Sequence, residues 1–255
     1  MKTIKKIKNN KLYFEIKDFN VDNHMIHLFS TRKGWEQNNL RNNVSEILSI
    51  PMEKVYNAKQ VHGTDIKIIN NQSRKLVSNE NYDGLITNKR GIALCTYHAD
   101  CAPIYFYDKN KKVIGLAHSG WKGSLNNISR SMILIMKGKY GSKVEDILVA
   151  IGPSIGDCCY EVKEDVASMF EEIFLNDFNN RVIIKRENRI YLNLWEANRI
   201  NLLKLGIKKE NIILSEICTS CNINEFFSYR KEKGTKNRMI AAITLRRQTK
   251  DDIIE

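Results

Sequence analysis

The segment GIALCTYHADCAPIYFY, residues 91 to 107, consists of two short apolar runs on either side of a polar turn. Runs of this length bounded by a turn are typical of buried β-strands. The turn brings His98, Asp100 and Cys101 within four positions, although the whole chain has only five histidines and six cysteines. Binding side chains often lie where a rigid strand gives way to a loop. We therefore predict a sheet with functional residues at one end of its strands.

Apolar runs of strand length recur on both sides of this segment. They predict β-strands at 66–69, 84–87, 92–97, 104–107, 113–117, 147–151, 212–214, 226–229 and 239–245. The last two runs flank a turn at Lys233-Gly234, so they are predicted to pair as a hairpin.

Helical spacing of apolar residues appears in three places. The glycines from Gly120 to Gly123 interrupt the strand pattern, and a helix is predicted from about Leu125 to Met136, with Gly138 or Gly141 as its end. Two more helices are predicted at 164–174 and 193–205. Because strands and helices do not alternate regularly, we predict an α/β chain of the mixed α+β kind. Residues 1–255 are expected to form a single domain with mixed β-sheets flanked by helices.

Composition indicates a folded protein that is expected to be cytoplasmic. Hydrophobic residues make up 42% and charged residues 27% of the chain, which is typical of globular proteins. The longest apolar runs are far shorter than the roughly 20 residues of a membrane span. The basic N-terminus lacks the apolar segment of a signal peptide, so no membrane partner and no disulfides are expected.

The net charge of +12 is compatible with nucleic acid or with small anionic substrates. The lysines are scattered over polar turns and chain ends, however, and no helix-turn-helix, RNP1 string or zinc finger is present. No nucleic-acid partner is therefore predicted. The two common phosphate loops, G-x-G-x-x-G and G-x-x-x-x-G-K-[ST], are also missing.

His62, Cys101 and His118 are candidate ligands of one metal ion. Each follows or interrupts a strand-like run, and catalytic zinc usually takes three protein ligands and leaves a fourth position open. Their long spacings leave the alternative that each is a buried, hydrogen-bonded core residue. Copper also remains a candidate, because it competes strongly for nitrogen and sulfur ligands.

Other metal patterns are weaker. Cys218-Thr-Ser-Cys221 has the spacing of a zinc half-site or a redox pair, but a second C-x-x-C is missing, and Cys158 and Cys159 are adjacent. A packed turn is the favoured interpretation. The zinc deaminase signature of H-x-E and P-C-x-x-C is absent. Five histidines without an H-x-H pair are too few for several copper ions.

Several strings, in order, resemble one bacterial family over about positions 28 to 245. They are STR (30–32), KQVHG (59–63), DGLIT (83–87), ADCAP (99–103), AHSGWKG (117–123), IGPSIG (151–156) with CCYEV (158–162), and CTSC (218–221) with FFSYR (226–230). The family has been described both as laccase-like polyphenol oxidases and as purine nucleoside phosphorylases. The segment 33–40 departs from the glycine-rich stretch that the family usually has there.

The resemblance implies a zinc-dependent enzyme with His62, Cys101 and His118 as its catalytic metal ligands. It implies phosphorolysis of adenosine, inosine and S-methyl-5'-thioadenosine to the free base and a ribose 1-phosphate, with adenosine deaminase activity in addition. The alternative activity is that of a copper-dependent polyphenol oxidase, with Cu²⁺ in place of Zn²⁺. The implied partners are purine nucleosides and phosphate, and the oligomeric state is left open between monomer and homodimer.

Further side chains are assigned to substrate by their chemistry. Phosphate requires a cation, for which the candidates are Arg32, Lys122 and Arg230. Gln60, Asp83 and Asp100 are candidates for holding ribose hydroxyls or orienting a ligand histidine. Trp121 is a candidate for stacking on the purine, or else a packed core residue. His98 is predicted not to bind metal, because neighbouring residues of a strand point to opposite faces.

Overall fold

The computed structural model describes residues 2–57, 59–70, 73, 80–175, 177 and 181–247. The strands among these residues are β1 (Thr3–Lys8), β2 (Lys11–Ile16), β3 (Met25–Ser30), β4 (Val55–Asn57), β5 (Ile66–Ile68), β6 (Gly84–Thr87), β7 (Ala93–His98), β8 (Ala102–Asp108), β9 (Val113–Ser119), β10 (Ile147–Ile151), β11 (Glu161–Val162), β12 (Ile183–Arg186), β13 (Arg189–Leu192), β14 (Ile212–Leu214) and β15 (Met239–Leu245). The α-helices are α1 (Leu40–Leu48), α2 (Trp121–Leu125), α3 (Ile128–Tyr140), α4 (Glu164–Phe174) and α5 (Leu194–Lys204).

Two six-stranded sheets form the centre of the fold. The first has the order β1-β2-β3-β15-β7-β4, and the second has the order β14-β10-β8-β9-β6-β5. Both are mixed, since β4 runs parallel to β7 and β5 parallel to β6, whereas most other pairs are antiparallel. A smaller sheet has the order β11-β13-β12. The predicted α+β architecture of mixed sheets flanked by helices is therefore confirmed.

The burial of β8 explains why the segment 91–107 is apolar without a clear alternation of apolar and polar residues. All seven residues of β8 are buried. Ile104 and Phe106 face the helices of the second sheet, whereas Tyr105 and Tyr107 point into the core between the two sheets. A strand covered on both faces shows a nearly continuous apolar run. The outer face of the first sheet is covered by α1, so the layers run helix, sheet, sheet, helix.

The helix predicted from about Leu125 to Met136 is confirmed in α3, but its bounds differ. The chain already turns into α2 at Trp121, and α3 begins only after Asn127, whose side chain accepts a hydrogen bond from the backbone N–H of Arg130 at 3.0 Å. The strand pattern ends before Gly120 as predicted, since β9 ends at Ser119, and the break between the two helices lies at a left-handed Asn127 (φ 55°). The helix ends at Gly141, which has a φ of 67° and acts as a C-cap.

The predicted strand at 226–229 and its hairpin with β15 are wrong. Phe226 and Phe227 are buried, which explains their strand-like pattern, but β15 pairs with β3 and β7 instead. Side chains accept hydrogen bonds from the backbone of this segment: the N–H of Ser228 donates to Glu232 and the N–H of Arg230 donates to Asp100.

Several predicted elements agree with the structure at both ends. They are the strands at 84–87, 147–151, 212–214 and 239–245 and the helix at 164–174. Among the described residues, no helix combines the length and the hydropathy that crossing a bilayer requires.

Tyr105 joins the two sheets by a buried hydrogen bond, in which its hydroxyl donates to the carbonyl of Leu28 at 2.9 Å. We expect Tyr105→Phe to lower the free energy of unfolding by about 1–3 kcal/mol, because it leaves a buried carbonyl with one partner fewer. Urea denaturation checks the value. Tyr107→Phe is the matched control, since its partner Asp22 keeps access to water and its loss should be smaller. Equal losses in the two variants would contradict this prediction.

Candidate functional site

The three candidate metal ligands meet where β7 ends and β8 begins. His62 lies in the loop after β4, Cys101 lies in the turn between β7 and β8, and His118 belongs to β9. The antiparallel register of β8 and β9 pairs Pro103 with His118, which brings His118 next to the turn of Cys101. One ligand atom from each residue lies within 4.8 Å of the others, and Cys101 Sγ is 3.9 Å from His62 Nε2.

A single carboxylate holds two of these three residues. Asp83, which lies just before β6 and is 1% exposed, accepts the backbone N–H groups of Val61 (3.1 Å), His62 (3.0 Å) and Gly63 (2.7 Å). It also accepts Nδ1–H of His118 at 2.9 Å. Burial raises the pKa of Asp83, but these hydrogen bonds outweigh it and leave the pKa below its usual value. The bond to Asp83 places the proton of neutral His118 on Nδ1 and leaves the Nε2 lone pair available for a metal ion.

Two ligand loops contain a strained residue. His62 has a φ of 59° and Asp100 has a φ of 85°, a region that side-chain-bearing residues seldom adopt. Three donors stabilise Asp100 in this conformation: Thr219 Oγ1 at 2.7 Å, Ser228 Oγ at 3.0 Å and the N–H of Arg230 at 2.7 Å. Strain that the surroundings maintain in this way is typical of functional sites.

Gly120 leaves room for the ligands. A Cβ atom added at this position would lie 2.9 Å from Cys101 Sγ and 3.1 Å from His62 Cδ2. Any side chain at position 120 would therefore intrude between these two residues.

His98 lies behind the site but does not face a metal. Its ring is 5.3 Å from that of His118, and both of its nitrogens have partners, the carbonyl of Cys101 at 3.0 Å and Thr96 Oγ1 at 2.8 Å. Because a carbonyl only accepts, Nδ1 of His98 donates and Nε2 accepts from Thr96. Burial holds the pKa of His98 far below its usual range, so it stays neutral. The structure therefore uses His98 to support the Cys101 turn.

Cys101 and His118 form a charged pair when no metal separates them. Burial opposes ionisation of the Cys101 thiol, but His118 and His62 outweigh it and lower the pKa of Cys101 to about 6. Burial also opposes protonation of His118, yet Cys101 and Asp83 raise the pKa of His118 to about 9. The site thus favours a thiolate, which is the form of cysteine that binds metals.

The donor set fits a divalent transition metal. Two imidazole nitrogens and one thiolate sulfur satisfy three positions of a tetrahedral ion, and both Zn²⁺ and copper accept such ligands. His118 and its carboxylate partner are buried, whereas His62 is exposed. A fourth position on the exposed side would remain open to a substrate or water.

A cavity of about 1030 Å³ opens over these residues. Its wall combines the three candidate ligands with aromatic and cationic side chains. The described residues that line it are Asn57, Lys59, Gln60, His62, Tyr97, Ala99, Asp100, Cys101, His118, Trp121, Ile155, Tyr160, Leu194, Tyr229, Arg230 and Arg238. This volume is at the upper end of the range for small-molecule sites.

Four of the substrate residues predicted from the sequence line the cavity: Gln60, Asp100, Trp121 and Arg230. Two of the four have their polar groups engaged elsewhere. Both ends of the Gln60 amide bond the backbone of Tyr97, at 2.7 and 2.8 Å, which ties the His62 loop to β7. Both carboxylate oxygens of Asp100 accept hydrogen bonds from the protein.

The other three predicted residues are not among the described residues that line the cavity. Arg32 pairs with Glu232 at 2.6 Å and stacks on Phe227 at 4.4 Å. Lys122 lies on the exposed side of α2, with its Nζ 5.5 Å from the ring of Trp121. Asp83 is buried behind the ligands. Sequence spacing identified these groups as polar residues near a motif but could not show which way each side chain points.

Sequence reasoning missed several lining residues, among them Lys59, Tyr160 and Arg238. Lys59 and Tyr160 belong to strings used for the family resemblance, but nothing local distinguishes them from a surface lysine and a core aromatic. Arg238 directly precedes β15, and a cation at the beginning of a strand was the only available signal.

Known proteins resemble the chain over most of its length. The family model described as "Multi-copper polyphenol oxidoreductase laccase" matches residues 23–246. A Geobacillus stearothermophilus protein named purine nucleoside phosphorylase YlmD is 35% identical over 216 residues, which cover 82% of this chain and 79% of that protein. The Mus musculus protein named purine nucleoside phosphorylase LACC1 is 33% identical over 233 residues, 87% of this chain, so the chain spans 51% of that protein's length.

Solved structures show the same fold. The crystal structure of YlmD from Geobacillus stearothermophilus has a TM-score of 0.84 at 30% identity and covers 96% of this chain and 100% of that chain. The Bacillus licheniformis hypothetical protein YfiH has a TM-score of 0.82 at 29% identity and covers 94% of this chain and 97% of that chain.

The carboxylate of Asp83 generates the first prediction for this site. We expect Asp83→Asn to weaken metal binding about 10–100-fold, because an amide cannot accept all four hydrogen bonds and no longer fixes His118. Competition with a chromophoric chelator measures the affinity. Asp108→Asn is the matched control, since Asp108 is also buried and accepts two backbone N–H groups at the far end of β8. An affinity in Asp83→Asn equal to that of the control would refute the positioning role.

The charged pair predicts how Cys101 reacts in metal-free protein. Alkylation of Cys101 should remain fast at pH 7 and decline as the pH falls through about 6, because only the thiolate attacks. In His118→Ala the pKa should return toward about 8.5, which slows alkylation at pH 6 by about tenfold or more. Peptide mass spectrometry reports each cysteine separately. Burial raises the pKa of Cys95 to about 12, so Cys95 serves as the unreactive internal reference. A wild-type Cys101 profile centred near pH 8.5 would contradict the prediction.

Proposed function

This chain belongs to the multi-copper polyphenol oxidoreductase laccase family, and we propose that it is a zinc-dependent purine nucleoside phosphorylase. Its proposed substrates are adenosine, inosine and S-methyl-5'-thioadenosine, which phosphate would cleave to the free base and a pentose 1-phosphate. Relatives that share most of this chain carry the name of that activity. The observation that carries the proposal is one cavity that combines a metal-ligand set, aromatic walls and several cations.

Phosphorolysis makes three demands on a site. A phosphate oxygen forms a bond to C1' of the sugar while the bond from C1' to the base nitrogen breaks. The anion must be held close to the sugar, the base must be oriented, and the negative charge that develops on the leaving base must be stabilised or neutralised by a proton.

Three cations of the cavity support binding of the anion: Lys59, Arg230 and Arg238. Arg230 is held in place, because its guanidinium stacks on Tyr160 at 5.1 Å and donates to the carbonyl of Glu161. The planar guanidinium group suits bidentate contacts with phosphate oxygens. Asp100 is the acidic residue of the described lining, and its oxygens already accept hydrogen bonds from the protein. The wall is therefore net positive.

Aromatic side chains support binding of the base. Trp121 and Tyr160 are half-buried and line the same cavity, so each presents an apolar surface on which a flat purine can stack. Burial raises the pKa of Tyr160, and the phenol stays protonated at neutral pH. Its hydroxyl is therefore a hydrogen-bond donor for a nitrogen of the base or an oxygen of the sugar.

His62, Cys101 and His118 are the proposed ligands of the zinc ion. When bound there, Zn²⁺ supplies a Lewis acid for a substrate oxygen or nitrogen in the fourth position. Asp83 accepts the Nδ1–H of His118, which leaves Nε2 of His118 available as a metal ligand. Gly120 has no side chain that would fill the space between Cys101 and His62. The same ligands accept Cu²⁺, which we propose as the alternative metal.

Copper-dependent oxidation of phenols is the activity that the family description names. A site for several copper ions requires many imidazoles, and only His62 and His118 contribute nitrogen to the clusters found among the described residues. We therefore favour phosphorolysis over oxidation.

Adenosine deamination is proposed as a side activity of the same site. We also propose that residues 1–255 act as one domain, since the core between the sheets draws on strands of both.

The proposed function predicts that purified protein converts adenosine to adenine only when phosphate is present, with one ribose 1-phosphate formed per adenine. Chromatography of the products measures both. Chelation of the metal, His62→Ala and His118→Ala should each abolish the conversion. Phosphate-independent release of adenine or oxygen uptake with a phenol would overturn the proposal, and inosine as the main product would make deamination the principal activity.

The role of Arg230 is tested by the phosphate dependence of the rate. We expect Arg230→Gln to raise KM for phosphate about 10–100-fold, which corresponds to the loss of charge-assisted hydrogen bonds, and to change KM for adenosine much less. Arg130→Gln, an exposed position on α3 outside the cavity lining, is the matched control. Equal phosphate dependence in the two variants would remove Arg230 from the anion site.

A further inference from the structure

Four cysteines from two segments that are distant in sequence meet next to Tyr160 in the chain. Cys158 and Cys159 precede β11, and Cys218 and Cys221 follow β14. All four Sγ atoms lie within 4.8 Å of one another, and Cys221 Sγ is 3.4 Å from Cys158 Sγ and from Cys159 Sγ. None of the four forms a disulfide. The sequence favoured a packed turn for Cys218-Thr-Ser-Cys221, because no second C-x-x-C is present and the spacing does not show that Cys158 and Cys159 lie nearby.

Packing does not explain this cluster. A buried free cysteine behaves as a small hydrophobic residue, but Cys158 and Cys221 are exposed, Cys159 is half-buried and only Cys218 is buried. Exposed thiols gain nothing from the core, and four thiols collected at one point repel one another as they ionise. A shared cation removes that repulsion.

The distances suit one metal ion. A tetrahedral ion with metal–sulfur bonds of about 2.3 Å separates its sulfur ligands by about 3.8 Å. The four Sγ atoms already approach this arrangement, so only small rotations of the side chains are needed. Two ligands come from a C-x-x-C turn, which is the usual half of a structural zinc site.

Backbone hydrogen bonds hold one sulfur of the cluster in place. Cys218 Sγ accepts the N–H of Gly156 at 3.2 Å and the N–H of Cys221 at 3.5 Å. Hydrogen bonds to a ligand atom from the surrounding protein orient that atom for a metal ion. Gly156 allows the close approach of the two segments, because a Cβ at that position would lie 3.0 Å from the ring of Trp195 and 3.2 Å from Cys158 Sγ.

We propose that Cys158, Cys159, Cys218 and Cys221 bind a second Zn²⁺ ion in a closed, structural site. Four protein ligands leave no open position, so this ion is not catalytic. It joins two segments that are already bridged by Thr219 N–H to the carbonyl of Ser154 at 3.0 Å. Thr219 bonds Asp100, and Tyr160 lines the cavity. The ion therefore braces one wall of the cavity, and the proposal stands whether or not the protein is a phosphorylase.

Metal content tests the proposal directly. Purified wild-type protein should contain about two zinc ions per chain, and both the double variant His62→Ala/Cys101→Ser and the single variant Cys221→Ser should contain about one. Cys95→Ala, which removes a buried thiol outside both clusters, is the matched control and should retain both ions. Unchanged zinc content in Cys221→Ser would overturn the proposal.

Cobalt substitution keeps the test decisive if Cys221→Ser fails to fold. In the chelator-treated double variant His62→Ala/Cys101→Ser, Co²⁺ should bind at one equivalent with intense thiolate-to-cobalt charge-transfer absorption and tetrahedral ligand-field bands. Bound metal should also protect the four cysteines from alkylation, as read by peptide mass spectrometry. Absence of the charge-transfer band would overturn the proposal. A disulfide joining Cys221 to Cys158 or Cys159 in the freshly purified protein would overturn it in favour of a redox cluster.

Discussion

One buried carboxylate organises the candidate metal site. Asp83 accepts three consecutive backbone N–H groups of the His62 loop and the Nδ1–H of His118. A buried charge is tolerated only when its hydrogen bonds are satisfied, so the loop and the strand must arrive together at this carboxylate. The same constraint fixes the backbone of His62 in a left-handed conformation and selects the tautomer of His118. Removal of this charge would affect both ligands at once.

The sheets supply the rigid frame for that carboxylate. Because β8 and β9 are antiparallel neighbours, the beginning of one strand and the end of the other lie side by side, and Cys101 and His118 meet. His118 points toward the first sheet, where the ring of His98 supports it. β8 is buried on both faces, and this close packing restrains the positions of Cys101 and His118, because a close-packed core has low compressibility.

Asp100 links the proposed metal sites. It is next to Cys101 in the chain, and its carboxylate binds Thr219, which lies within the C-x-x-C turn, as well as Ser228 and the backbone of Arg230. The segment 226–230 is consequently a loop that reaches the cavity and not a strand of a hairpin. Tyr160, between the cysteine cluster and the stacked Arg230, extends the same wall. The cavity is thus bounded by segments that polar side chains hold together.

The sequence alone determined the mixed α+β class, most of the central strands, the helix at 164–174 and, with shifted ends, the helices at 128–140 and 194–204. It could do so because apolar runs and helical spacing reflect which residues are buried. It also identified His62, Cys101 and His118 as a candidate ligand set. It could not separate a strand from a loop at 226–229, since buried aromatics look alike in both. The tertiary structure alone decided that Arg32 pairs with Glu232 outside the cavity and that Asp83 lies behind the ligands. It alone brought Cys158 and Cys159 to Cys218 and Cys221. Such contacts depend on strand register and loop direction, which are set by long-range pairing and are not encoded in local spacing.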